Sequence, residues 1–146
     1  MRRFHFSRGM LAACLALTAV LGSLLSRSEP ESGPAFATLP AQTQTELLAG
    51  AVALLTEPED GYTVRLAVAG VLLNRLDAET YGDTVWQVTA PLLDPALSEI
   101  PQTGDSTALR AAQDAMRGHD PLPNALSFGT KDPPDGAILL GRWWFL

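Results

Sequence analysis

Three acidic residues, Glu57, Glu59 and Asp60, stand close together in segment 55–62 (LTEPEDGY). A carboxyl group that keeps its proton near neutral pH can act as a general acid. Glu57 would follow a predicted helix, whose negative C-terminal end disfavours a carboxylate, and Glu59 and Asp60 add like charge beside it. We therefore take Glu57 as the candidate catalytic acid, and Glu59 and Asp60 as a second carboxylate or substrate contacts. The alternative is a solvated acidic loop between two helices.

Aromatic residues supply candidate binding surfaces. Tyr62 follows the acidic segment directly, and Trp143, Trp144 and Phe145 stand near the C-terminus. If residues 143–145 form a strand, Trp143 and Phe145 share one face and Trp144 lies on the other. Tyr62 and Trp143 could then contact a ring-shaped substrate such as a sugar, whereas the alternative for both is packing in the core.

Several other chemistries are excluded by residue type. The single cysteine, Cys14, lies in the N-terminal segment, so the remaining chain has no thiolate nucleophile and no disulfide. His5 and His119 have no partners at metal-ligand spacing, and the chain has neither a glycine-rich phosphate loop nor a nucleophile elbow. We therefore expect no metal and no cofactor.

The elements that must position these residues are predicted by apolar spacing. A first helix from Thr43, with Glu46 completing a capping box, ends before Pro58. A second helix over 63–76 is apolar on nearly every side, which predicts a central position. A third helix is predicted over 83–90 and a fourth over 107–117, capped by Asp105 or Ser106 and ended by Gly118.

The pattern changes after Gly118. Segments 125–128 and 137–145 are rich in β-branched and aromatic residues, and turn residues over 131–136 separate them. The sequence thus predicts an α+β domain of three to four helices closed by a C-terminal β-hairpin.

Residues 1–38 show no pattern of a folded domain. Arg2, Arg3 and Arg8 precede a 16-residue apolar stretch over 10–25, which spans only about 24 Å as a helix. We therefore predict a signal peptide or N-terminal membrane anchor over 1–27, a flexible tether over 28–38 and the domain over 39–146. A lipidated Cys14 is a further alternative. A cleaved signal peptide and an uncleaved anchor would both export the domain, which would be secreted or membrane-anchored.

Charge narrows the range of partners. The chain has 146 residues and a formal net charge of −6, and four of its ten basic residues lie in the first 27 positions. The rest carries six basic residues against all sixteen acidic ones, a charge of −10. This balance argues against nucleic acid and anionic membrane surfaces, so membrane contact is expected only through the N-terminal segment.

Five segments of the domain follow one another in a recognisable order: 65–76 (RLAVAGVLLNRL), 83–88 (DTVWQV), 111–121 (AAQDAMRGHDP), 124–128 (NALSF) and 141–145 (GRWWF). They resemble the motifs "qvaVAaVvLNRv", "nTvcgVv", "Aa.eal.G.dPt", "gAlyF" and "GnHvF" of the SleB/CwlJ-type cell wall hydrolases, the cortex-lytic family of spore-forming bacteria. The resemblance runs from about residue 46 to residue 146.

This resemblance implies a lysozyme- or transglycosylase-like domain that cleaves the glycan strands of peptidoglycan during germination. It also implies a location in the cell wall or spore envelope. The family's catalytic Glu, in "YgEARGE", aligns with Thr56 without a gap and with Glu57 after a one-residue deletion. The Arg-Gly of that motif is absent, and Trp143 replaces the closing His. These departures leave a second interpretation, a non-catalytic member that binds peptidoglycan or a partner hydrolase.

Overall fold

The structure, a computed structural model, describes residues 34–78 and 80–146. The predicted signal peptide or anchor over 1–27 and the first part of the tether, over 28–33, lie outside these residues. In the described part, no helix is both long enough and apolar enough to cross a membrane.

The described residues form an α+β domain, as the sequence predicts. Its α-helices are α1 (Ala41–Leu55), α2 (Tyr62–Asp77), α3 (Val85–Thr89) and α4 (Ser106–Met116). Two short 3-10 helices cover Phe36–Thr38 and Ala90–Leu92. The strands are β1 (Phe128–Gly129), β2 (Ile138–Leu140) and β3 (Trp143–Phe145).

Helix α2 is the centre of the core, as its apolar circumference predicts. It packs against α1 and α4, and Val68, Val71 and Leu72 are fully buried. Two polar residues at its C-terminal end hold the segment before β1. Asn74 Nδ2 donates to the carbonyl of Ala125 at 3.1 Å, and Arg75 Nε donates to the carbonyl of Leu126 at 2.7 Å.

Of the two helix N-termini with a predicted cap, one agrees with the structure and one does not. Asp105 caps α4 through Oδ1, which accepts from the N–H groups of Thr107 and Ala108, as expected. The capping box predicted for Thr43 and Glu46 is wrong, because α1 begins at Ala41 directly after Pro40. Glu46 instead accepts a hydrogen bond from Gln42, one turn earlier, at 2.9 Å.

The sheet is antiparallel with strand order β1-β3-β2. Phe128 pairs with Phe145, so the two predicted β segments do meet. The single strand predicted over 137–145 is wrong, since the chain turns at Gly141, whose φ of 62° suits glycine. The hairpin therefore joins β2 to β3, and this turn carries Arg142.

The folded unit includes residues that composition assigned to the tether. Phe36 is buried among the core residues, and its N–H donates to the carbonyl of Asp83 at 2.7 Å. Gln44 Nε2 donates to the carbonyl of Phe36 at 2.7 Å, which ties this segment to α1. The 3-10 helix Phe36–Thr38 is thus part of the domain.

Candidate functional site

The loop between α1 and α2 holds Glu57 by both of its backbone groups. The N–H of Glu57 donates to Asp60 Oδ2 at 2.8 Å. Its carbonyl accepts from the N–H of Asp60 at 3.0 Å and from Arg65 Nη2 at 3.0 Å. The side chain of Glu57 is 61% exposed. An accessible carboxylate thus stands on a backbone that cannot move without breaking three hydrogen bonds.

Asp60 organises this loop. Its side chain is only 7% exposed, and its two oxygens accept from Arg142 Nε at 3.2 Å and Nη2 at 3.0 Å. Trp143 Nε1 donates to Oδ1 at 2.9 Å. Burial raises the pKa of Asp60, but the hydrogen bonds from Arg142, the Glu57 N–H and Trp143 outweigh it, so the pKa lies below its ordinary value. Asp60 therefore remains charged and bound at neutral pH.

Arg142 is a site residue that the sequence did not indicate. Its Nη2 lies 3.0 Å from Glu57 Oε2 and 3.0 Å from Asp60 Oδ2, so a cation separates the two carboxylates. The hydrogen bonds that Arg142 donates to Asp60 and Glu57 raise its pKa above the ordinary value. Like charge beside Glu57 was expected from Glu59 and Asp60, and the structure adds the opposite charge of Arg142. This opposite charge comes from the β2–β3 turn. Its proximity to the loop could not be predicted from the spacing of residues in the sequence.

Arg65 is the second residue missed. It is buried, pairs with Asp105 at the N-terminus of α4, and donates from Nη2 to the carbonyl of Glu57. The hydrogen bond from Arg65 lowers the pKa of Asp105, with burial acting against it. Arg65 therefore joins the candidate site to α4, and the available signal in the sequence was an arginine among the apolar residues of the N-terminal half of α2.

Trp143 lies in the core. It is 5% exposed, and its ring lies 5.8 Å from that of Phe128 and 6.5 Å from that of Phe145, between centroids. The expectation that Trp143 stacks on a sugar does not fit this burial, because its faces are covered. Its contribution to the site is the hydrogen bond to Asp60. Trp144 lies on the opposite face of the strand, as predicted.

The remaining candidates occupy different environments. Thr56 is buried, and its hydroxyl donates to the carbonyl of Val52 within α1 at 2.8 Å. Of the two alternative positions for the acid, only Glu57 therefore presents a side chain to solvent. Glu59 is exposed. Tyr62 is half-buried, and its hydroxyl donates to Asp114 Oδ2 at 2.7 Å.

No group of three or more His, Cys, Asp or Glu side chains within 34–78 and 80–146 is arranged to hold a metal ion. An open apolar depression of about 400 Å³ lies elsewhere, lined by residues that include Leu122, Ile138 and Phe145. Glu57 does not line it. The candidate site is therefore an exposed carboxylate on the surface of the domain.

Comparison with known proteins gives one informative match. No protein-family model matches the chain, and no solved structure matches it. Among curated proteins, it is similar to a spore cortex-lytic enzyme of Halalkalibacterium halodurans, with 40% identity over 84 residues. The alignment covers 56% of this chain and 26% of that enzyme. The chain thus matches about a quarter of the length of this relative.

Proposed function

We propose that this protein is an exported cell wall hydrolase that cleaves the glycan strands of spore cortex-type peptidoglycan, with Glu57 as its single general acid. The similarity to a protein named spore cortex-lytic enzyme supports the substrate class. The ordered resemblance of five segments to cortex-lytic hydrolases supports a lysozyme- or transglycosylase-like arrangement. Export by the N-terminal segment would bring the domain to this substrate.

The observation that carries the proposal is the fixation of Glu57. An ordinary acidic surface loop needs no buried partners, yet here Asp60 and Arg65 hold both backbone groups of one exposed glutamate. Trp143 and Arg142 in turn hold Asp60. Such pre-organisation is what a catalytic group requires, since a displaced acid loses most of its rate advantage.

In this mechanism the Glu57 carboxyl donates its proton to the glycosidic oxygen while the bond from that oxygen to the sugar carbon breaks. The ion pair with Arg142 does not prevent this, because Arg142 also binds Asp60 through Nε and Nη2. Glu57 can therefore rotate away while Arg142 stays in place.

The geometry favours a route with one acid. Inverting hydrolysis uses two carboxyl groups roughly 6.5–9.5 Å apart with a water between them. Because Glu57 Oε2 and Asp60 Oδ2 each lie 3.0 Å from Nη2 of Arg142, they are at most about 6 Å apart, too close for inversion. Retaining hydrolysis uses a separation of about 5–5.5 Å, but its second carboxylate must attack the sugar carbon. Asp60 is unsuited to that role, because its side chain is only 7% exposed and both of its oxygens accept hydrogen bonds. We infer that a hydroxyl of the sugar itself attacks the sugar carbon and returns its proton to Glu57, which leaves a 1,6-anhydro end.

A second candidate is a non-catalytic protein that binds peptidoglycan or a partner hydrolase. The observation that favours it is the contact between Glu57 and Arg142, which occupies the carboxylate of the proposed acid. The burial of Trp143 also removes one sugar-stacking surface. A peptidoglycan-binding protein would bind the same polymer as the hydrolase and would differ from it in that Glu57 does no chemistry.

The test is release of soluble fragments from purified spore cortex by the full chain, the Glu57→Gln variant and the matched control Glu99→Gln. Glu99 is an exposed acid in the loop before α4. We expect Glu57→Gln to lower the rate by about 100-fold or more with an unchanged melting temperature, and Glu99→Gln to act as the wild type. Retention on pelleted cortex without release by the wild type would instead support the binding protein.

A further inference from the structure

Two exposed arginines of this acidic domain lie beside each other at α4. Arg110 lies near the middle of α4, and Arg117 and His119 lie just beyond its end, with side chains 73%, 66% and 66% exposed. All three lie around the carboxylate of Asp114. By contrast, Arg65 and Arg75 are buried, and Arg142 is held by two carboxylates. We refer to Arg110 and Arg117 as the α4 cation patch.

The α4 cation patch is built on two half-buried residues, Asp114 and Tyr62. Arg117 Nη1 lies 3.1 Å from Asp114 Oδ1, and Arg110 Nε lies 3.7 Å from Asp114 Oδ2. The Arg110 guanidinium also lies 4.9 Å from the centre of the Tyr62 ring, a cation–π contact. One carboxylate neutralises only one of two guanidinium groups, so the patch keeps a surplus positive charge that faces solvent.

The patch adjoins the candidate site through the first turn of α2. Tyr62 begins α2, five residues after Glu57, and Arg65 lies one turn further on the same side of the helix. Tyr62 contacts Asp114 of the patch, while Arg65 contacts the carbonyl of Glu57. The acid and the cations therefore flank the same helix end.

We propose that the α4 cation patch binds the carboxylate groups of the peptide stems that hang from the glycan strand, so that the substrate is peptide-bearing rather than bare glycan. This inference rests on the proposed function. Guanidinium groups bind carboxylates through paired, charge-assisted hydrogen bonds. The glycan itself offers mainly neutral hydroxyl and amide groups, whereas the stems carry negative charge. The acidic remainder of the surface repels that charge, which directs the stems to the patch.

The experiment compares two substrates: peptidoglycan with intact stems, and the same material after an amidase has removed them. The variants are Arg110→Gln with Arg117→Gln, and Lys131→Gln as an exposed cation on another part of the domain. We expect the double variant to raise KM for the peptide-bearing substrate about 3- to 10-fold with kcat unchanged. The KM of the double variant for bare glycan should match that of the wild type. The KM of Lys131→Gln should match that of the wild type on both substrates.

Two outcomes separate this inference from the proposed function. If the wild type and the double variant cleave both substrates with equal KM, the inference is overturned while the proposed cleavage stands. If the wild type cleaves neither substrate, the proposed cleavage is wrong, and retention on pelleted peptidoglycan then decides the inference. Retention of the double variant must be several-fold weaker than that of Lys131→Gln, and equal retention overturns it.

Discussion

Asp60 is the residue on which the geometry of the candidate site depends. It accepts hydrogen bonds from the N–H of Glu57, from Arg142 and from the indole of Trp143. Each of these donors belongs to a different part of the chain: the loop, the β2–β3 turn and strand β3. Loss of the Asp60 carboxylate would therefore release the loop and leave the buried indole N–H without an acceptor.

We predict that Asp60→Ala lowers the free energy of unfolding by about 2–4 kcal/mol, since hydrogen bonds to a charged group are lost and a buried donor is left unpaired. Trp143→Phe keeps most of the aromatic packing and loses one hydrogen bond, so its cost should be smaller, about 1–2 kcal/mol. Urea unfolding measures both. A cost below about 0.5 kcal/mol for Asp60→Ala would mean that the Asp60 contacts do not hold the loop.

At this scale the sequence indicates which residue types are available but not who their neighbours are. Glu57 could be selected as an acid because it follows a helix and has acidic neighbours. Arg142 could not be assigned to it, because 82 residues separate Arg142 from Asp60 and only the folded sheet brings them together. For the aromatic residues 143–145 the role was ambiguous, since the same residue types serve both in sugar binding and in core packing.

Helix α1 approaches the loop before α4 closely at Gly50, and this contact sets the space between the two elements. A methyl group at Gly50 would overlap the carbonyl oxygen of Pro101 and lie 2.8 Å from the side chain of Ile100. In an isolated helix, replacing glycine with alanine is favourable by about 1 kcal/mol. The packing contact must outweigh that preference.

We therefore predict that Gly50→Ala destabilises the domain by about 1–3 kcal/mol, because the loop has to move. Gly104→Ala is the matched control, since a methyl group there meets nothing within 4 Å. This substitution should be neutral or stabilising by up to about 1 kcal/mol. Thermal unfolding of the two variants checks the prediction, and equal melting temperatures would show that the α1 contact is adjustable.

The helices were predictable because their signals are local. The apolar spacing within α2 predicts that helix, and Asp105, directly before α4, predicts where that helix begins. The β segment over 137–145 was predicted as one strand because its residues favour strands throughout. The turn at Gly141 depends on the pairing of β3 with both β1 and β2. That pairing is a property of the whole sheet and not of the segment alone.

Across the whole molecule, carboxylates at several points favour the folded state through lowered pKa values. The hydrogen bond from Arg65 lowers the pKa of Asp105, and the hydrogen bond from Tyr62 lowers the pKa of Asp114. The pKa of Asp60 is also lowered, although its burial acts in the opposite direction. Such a group stabilises the fold above its unfolded pKa of about 3.9, and the contribution is lost as pH falls through the lower folded value.

We predict that the free energy of unfolding is nearly constant above about pH 5 and falls steeply below about pH 4. Asp105→Asn should be less stable than the wild type at pH 7 and should show a shallower loss in acid, since one of these carboxyl groups is gone. Urea unfolding at several pH values provides the curve. A wild-type stability that rises as pH falls from 5 to 3 would contradict the role of these carboxylates.

The central claim, glycan cleavage by an acid at Glu57, is tested most directly by mass spectrometry of the soluble products that the full chain releases from purified spore cortex. We predict fragments with intact peptide stems and 1,6-anhydro sugar ends, and their disappearance in Glu57→Gln. Free peptides with unbroken glycan, or the same products from Glu57→Gln, would contradict the claim.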